Sequence, residues 1–176
     1  MLAGLSLAGQ AKSDKQSKIE NAMAAAPEAI SAKATIRDWP AKKGGKMPVL
    51  RQGSNGWTCL PDMPQTQGND PMCLDKTWLA WAEAFTNGTK PQVKHLGFGY
   101  MLQGGPSGSN LEPTATKPSA NNEWIEKEMP HVMILVPDKS LLAGVSTDPN
   151  NGGPWVMWRN SPYVHIMAPV SSSGEH

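Results

Sequence analysis

Residues 130–136 read Pro-His-Val-Met-Ile-Leu-Val, and residues 154–167 read PWVMWRNSPYVHIM. The first is a short apolar run with β-branched residues at alternate positions, which suits a strand buried on at least one face. The second is two such runs, Trp155–Trp158 and Tyr163–Met167, around the turn residues Arg159-Asn160-Ser161-Pro162, and reads as a hairpin. Together they predict an antiparallel sheet and set the fold class as α+β.

Further strands are expected at Ala34–Trp39 (stopped by Pro40), at Val49–Arg51, at Trp57–Leu60 and at His95–Gln103. Val49–Arg51 and Trp57–Leu60 flank Asn55-Gly56, a pair that tolerates positive φ, and are predicted to form a hairpin. That gives about seven short strands. The main helix is placed at residues 71–87. Asp70 is its expected N-cap, Pro71 its first residue and Gly88 its stop, and Leu74, Trp78, Trp81, Ala82 and Phe85 share one apolar face. A second helix is expected over residues 13–26, with a short turn from Pro27 to Ile30 and another from Leu141 to Gly144. Seventeen Gly and 16 Pro among 176 residues, roughly a fifth of the chain against the ordinary ~12%, predict long loops between these elements. Gln103–Asn122 is nearly twenty polar residues without regular structure. Such a loop in a compact domain is a functional cover or an excursion.

The formal net charge is +1. That balance argues against a nucleic-acid binder, which needs a concentrated positive field. No apolar run reaches the ~20 residues of a membrane span. Met1–Ala11 resembles the end of a secretory signal, with Gly9-Gln10-Ala11 as a small-x-small cleavage site, so residues 12–176 are expected to form a single globular domain. Cys59 and Cys73 flank a Pro/Gly/Asn-rich loop with no other anchor, and a disulfide between them would stabilise by ~3 kcal/mol. A bridge implies an oxidising compartment, so the protein is expected to be secreted or periplasmic.

The candidate chemistry centres on a repeated His-x-Met, His131-Val132-Met133 and His165-Ile166-Met167. Side chains alternate along a strand, so each His shares a face with its Met. With Val132, Ile134 and Val136 packed against Val164 and Ile166 in the core, the opposite face would bring His131, Met133, Tyr163, His165 and Met167 together to line a cleft. Imidazole and thioether suit copper outside the cytoplasm, so His131, Met133, His165 and Met167 are the candidate metal ligands. Two Gly/Asn loops, 104–110 and 147–154, are able to approach a ligand closely because glycine lacks Cβ. Trp155 and Trp158 are expected to point to opposite faces, and an exposed Trp could stack on a sugar or an aromatic ligand. Glu126 and Glu128 read as solvated residues at a strand edge.

The leading expectation is a small-ligand or metal-binding protein with a loop-lined cleft. One alternative is a hydrolase-like enzyme with His131 or His165 as base and Asp148 as orienter, although no G-x-S-x-G or H-E-x-x-H motif is present. The other is a structural or interaction protein without a small-molecule site.

Overall fold

The computed structural model describes residues 5–42 and 44–170, with side chains in the first helix from Asp14 onward. Of the suggested signal remnant, Met1–Gly4 lie outside the described residues, and Leu5–Ala11 open helix α1 (Leu5–Met23). The chain continues through α2 (Glu28–Ser31), β1 (Thr35–Arg37), β2 (Val49–Arg51), β3 (Thr58–Leu60), β4 (Met72–Leu74) and α3 (Lys76–Thr86). It then forms β5 (Gly97–Met101), β6 (Gly108–Ser109), β7 (Trp124–Ile125), β8 (His131–Leu135), β9 (Trp155–Met157) and β10 (His165–Pro169). Eight strands make one sheet in the order β2-β1-β3-β4-β5-β8-β10-β9, and β6 pairs with β7 in a small ribbon. All pairings in the large sheet are antiparallel except β1 with β3. The fold is α+β, as the alternating apolar runs require.

Three local expectations are corrected. First, β2 and β3 do not pair with each other. Both pair with β1, β2 antiparallel and β3 parallel. Asn55-Gly56 does turn the chain, with Gly56 at φ 81° and the Asn55 side chain accepting from Trp57 N–H. The segment before it steps across the start of β1 instead of folding back. Gly53 makes the crossing possible, because a Cβ there would overlap the backbone of Ala34 and Thr35.

Second, the main helix starts later than Asp70. Met72–Leu74 is a strand between β3 and β5, because it must carry Cys73 opposite Cys59, where the two form a disulfide with Cα atoms 3.9 Å apart. The N-cap is Asp75. One of its oxygens accepts from Trp78 N–H at 2.8 Å and the other from Phe98 N–H at 2.7 Å, tying the helix start to β5. Asp70 instead is buried and closes the disulfide loop reciprocally. Its N–H donates to Asp62, and its carboxylate accepts from Met63 N–H.

Third, the core lies on the other face from the one the β-branched residues suggested. Met133 of β8 stands directly opposite Met167 of β10, and His131, Met133, Leu135, His165 and Met167 are all buried. Met133, Leu135, His165 and Met167 pack with Trp78 and Trp81, the buried part of the apolar stripe of α3. Trp78 also donates its indole N–H to Met133 O at 3.1 Å. The glycines of β5 serve this contact: a Cβ on Gly99 would come 2.9 Å from Met133 Cε and 3.0 Å from Leu74 Cδ2. Val132, Ile134 and Ile166 occupy the reverse face and are only half-buried, and Phe98 there is 38% exposed. The other half of that face, over β1, β3 and β4, is covered by Ala22, Ala25 and Ala26, with Ile19 and Met23 beside them. Small side chains let the helix end approach the disulfide closely.

Replacing Trp78 by Ala is expected to cost ~3–5 kcal/mol in urea denaturation. An unchanged midpoint would contradict the packing of α3 on the His/Met face.

Candidate functional site

The structure places His131, Met133, His165 and Met167 on one face of two adjacent strands, as the alternation predicts. The register offsets the two backbone positions, since His131 lies opposite Pro169 and His165 opposite Met157, and the His131 charge still reaches His165, where it adds to burial in lowering its pKa. Four residues of strand, roughly 13 Å at the ordinary rise, run between the two positions, with the Met133–Met167 pair in the middle. Tyr163 lies at the rim of the same core. Its hydroxyl donates to Thr89 O at 3.1 Å, and its ring stands edge-on to Phe85 and Trp81. Among the described residues, no three His, Cys, Asp or Glu side chains converge as a metal set.

Each imidazole is fixed by a backbone carbonyl. His131 Nδ1 lies 2.6 Å from Met129 O, and His165 Nδ1 lies 2.9 Å from Tyr163 O. A carbonyl only accepts, so Nδ1 carries the proton in both rings. His165 is boxed edge-on by Trp78, Trp81 and Trp158, with centroids 5.0–5.6 Å away. Burial pushes both histidines below their usual range, His165 to about 4. Neither ring bonds to Asp148, which sits in an exposed turn and accepts from Asn150 N–H. The carboxylate that His131 does face is Glu128, with Oε2 3.9 Å from an Nε2 that has no partner of its own. Glu128 is therefore not a solvated edge residue. It is buried against Gly104 and Gly105, where a Cβ on either glycine would meet its backbone or carboxyl oxygen. Burial first, and the Asp70 charge second, push its carboxyl up to about 8.

The sign of that shift makes a prediction. Between the ordinary 4.5 and about 8, the folded chain keeps a proton that the unfolded chain has lost. The acid's contribution to stability is thus complete below the lower value and is lost as pH rises toward the upper one. Glu128→Gln mimics the neutral acid at every pH. The difference in unfolding free energy is expected to move in the variant's favour from about pH 5 to about pH 8, by at most ~1.4 kcal/mol per unit. A pH-independent difference would contradict a neutral Glu128.

The residues that form an open site come from the loops. Asn110, fully buried, is their hub. Its N–H donates to Glu123 O at 3.0 Å, and its O accepts from Trp158 N–H at 2.8 Å. Its side-chain NH2 donates to Glu123 Oε2 and Thr147 O, and its Oδ1 accepts from the Trp155 indole at 3.1 Å. Next to it, Ser109 Oγ donates to Asn122 O, and Ser109 O accepts from the Trp158 indole at 2.8 Å. Arg159 grips Glu123 through both oxygens at 2.8 and 3.2 Å. That grip, with the Asn110 bond, holds the Glu123 carboxyl below its usual range.

Among the described residues, Glu123 (φ 47°) and Trp158 (φ 54°) are the non-glycine positions with positive φ. Both bond directly to Asn110. At Trp158 this conformation ends the alternation of β9, so its indole returns to the α3 side and stacks on Trp81 and Phe85. The expectation that Trp155 and Trp158 face opposite sides is corrected accordingly.

Around this hub lie two depressions that share Thr147. One, of ≈290 Å³, is lined by Glu123, Trp124, Thr147, Asp148, Pro149 and Asn150. The other, of ≈300 Å³, has an aliphatic floor that includes Leu142, Val145, Val156 and Val164, with Lys139 and Arg159 beside it. Thr147, Asp148, Pro149 and Asn150 of the loop 147–154 line the first depression. Ser109 and Asn110 end the Gly/Asn loop 104–110 noted in the sequence, whereas Glu123, Trp124 and Arg159 were not assigned to a site. The long loop 103–122 in a compact domain was a signal for Ser109 and Asn110, and no spacing pointed to the other three. Compared with family models, with curated proteins and with solved structures, the chain matches none.

Proposed function

We propose that this is an exported binding protein that takes a small ligand in the loop-lined cleft beside Trp124. The observation that carries the reading is the Asn110 network. It holds two loop segments in fixed positions around an open depression and sustains positive φ at the two residues flanking it. Backbone held in such sparsely populated conformations costs ~1–3 kcal/mol per residue and clusters where a site must be pre-shaped. A depression of ≈290 Å³ is at the small end of ligand sites, in keeping with a small molecule or one unit of a longer one.

Export rests on the Cys59–Cys73 disulfide, since such bonds persist in oxidising compartments. Among the described residues, no helix is long and apolar enough to cross a membrane. The His131/His165 face supports the site from below. It is the packed core on which β9 and Trp158 rest.

The test is a fluorinated fragment library screened by NMR against isotope-labelled protein. Bound fragments are expected to shift the Trp124 indole and the amides of residues 147–151. Trp124→Ala is expected to weaken them about tenfold, or ~1.4 kcal/mol. Shifts confined to other surfaces, or unaffected by Trp124→Ala, would contradict the cleft.

A further inference from the structure

The charges around the cleft narrow what it holds. Glu123 is matched by the two-pronged bond from Arg159. Asp148 spends one oxygen on Asn150 N–H, and Lys139 at the far end is anchored to Ser161 O at 3.0 Å. Two carboxylates line the cleft beside Trp124, Glu123 matched by Arg159 and Asp148 without a cationic partner among the described residues, while Lys139 and Arg159 line the neighbouring depression. An anionic ligand would lie against Asp148 with no free cation in that lining to receive it, which is costly.

What remains on offer is neutral chemistry. Trp124 is half-buried in β7 and lines the depression, so its indole provides an apolar plate. The exposed side chains of Thr147, Asp148 and Asn150 surround it. Their hydroxyl, carboxylate and amide groups provide short donors and acceptors. An apolar plate edged by such groups complements a ring with apolar faces and a girdle of hydroxyls. The β-turn that carries them is rigid. Asp148 N–H donates to Ser146 Oγ, and the Asn151 side chain closes the turn by accepting from Gly153 N–H at 2.9 Å.

Resting on the reading of the cleft as a ligand site, we propose that its ligand is a neutral saccharide. One ring stacks on Trp124, with its hydroxyls bonded to Asp148 and Asn150, and the rest of the chain leaves through the open side. The aliphatic depression past Thr147 receives the apolar face of a neighbouring ring.

The experiment is an NMR titration of the whole protein with neutral hexasaccharides, namely maltohexaose, cellohexaose, xylohexaose and chitohexaose, and with hexagalacturonate as the charged comparison. At least one neutral series is expected to shift the Trp124 indole and the amides of residues 147–151. Trp124→Ala and Asp148→Asn are each expected to weaken it about tenfold, or ~1.4 kcal/mol. Unchanged amide shifts in α3 and β8 show that the variants are folded. Tighter binding of the charged hexasaccharide would overturn the charge argument. No saccharide binding, with fragments still captured beside Trp124, would overturn the saccharide and leave the cleft standing. Failure of both would remove the cleft reading as well.

Discussion

One buried side chain amide organises the part of the molecule that the sheet does not. Segments 102–130 and 143–154 contain little regular structure, yet they pack against the end of the sheet, where backbone polar groups lose water. Such groups must be paired or their burial is costly. Asn110 supplies the pairing: with its backbone and side chain it reaches Glu123, Thr147, Trp155 and Trp158. An apolar residue of that size would keep the two backbone bonds and lose the three from the side chain, leaving Thr147 O and the Trp155 indole without the amide as partner. The unusual backbone at Glu123 and Trp158 persists because this network and the Arg159 ion pair over-determine it.

The core beneath obeys a related rule in a different way. Two histidines are buried on this face, His165 against the tryptophans of α3 and His131 beside Glu128, where a charged imidazole would be expensive. Each satisfies one nitrogen on a carbonyl two residues earlier in its own chain, which lets the ring enter the core neutral. Glu128 also enters neutral, its carboxyl pushed up by burial. These polar residues therefore pack as neutral groups, with His131 Nε2 left facing the Glu128 carboxyl at 3.9 Å. The Met133–Met167 pair fills the space between them and fits the contour of Trp78.

The parts of this architecture written in local pattern were readable before any coordinates. Strands β8, β9 and β10 follow from alternation, α3 from the spacing of Trp78, Trp81 and Phe85, and the disulfide from a loop with nothing else to anchor it. What failed was decided at long range. Asp70 and Asp75 are both good caps, and only the pairing of β4 with β3 and β5 selects Asp75. Alternation in β8 gives two faces, but not which of them α3 will cover. The Val/Ile face looked more core-like, and the Trp side chains of α3 settled the matter on the other side. The cleft was legible only as loop composition and an anomaly of loop length. Its residues are scattered across Ser109, Glu123, Thr147 and Arg159, with no spacing to connect them, and they meet through Asn110 and the Arg159–Glu123 pair.

The central claim is that Asn110 holds the loops in a preformed cleft, and hydrogen exchange in the Asn110→Ala variant tests it most directly. Losing the side chain removes three hydrogen bonds, at ~1 kcal/mol or more each. The amides of residues 108–125 and 146–153, with the indole N–H of Trp155, should then exchange faster by about a hundredfold or more, since ~1.4 kcal/mol is worth tenfold. Amides of β5, β8 and α3 should keep their protection. Exchange in the loops at the native rate, or an equal acceleration across loops and sheet alike, would contradict the account.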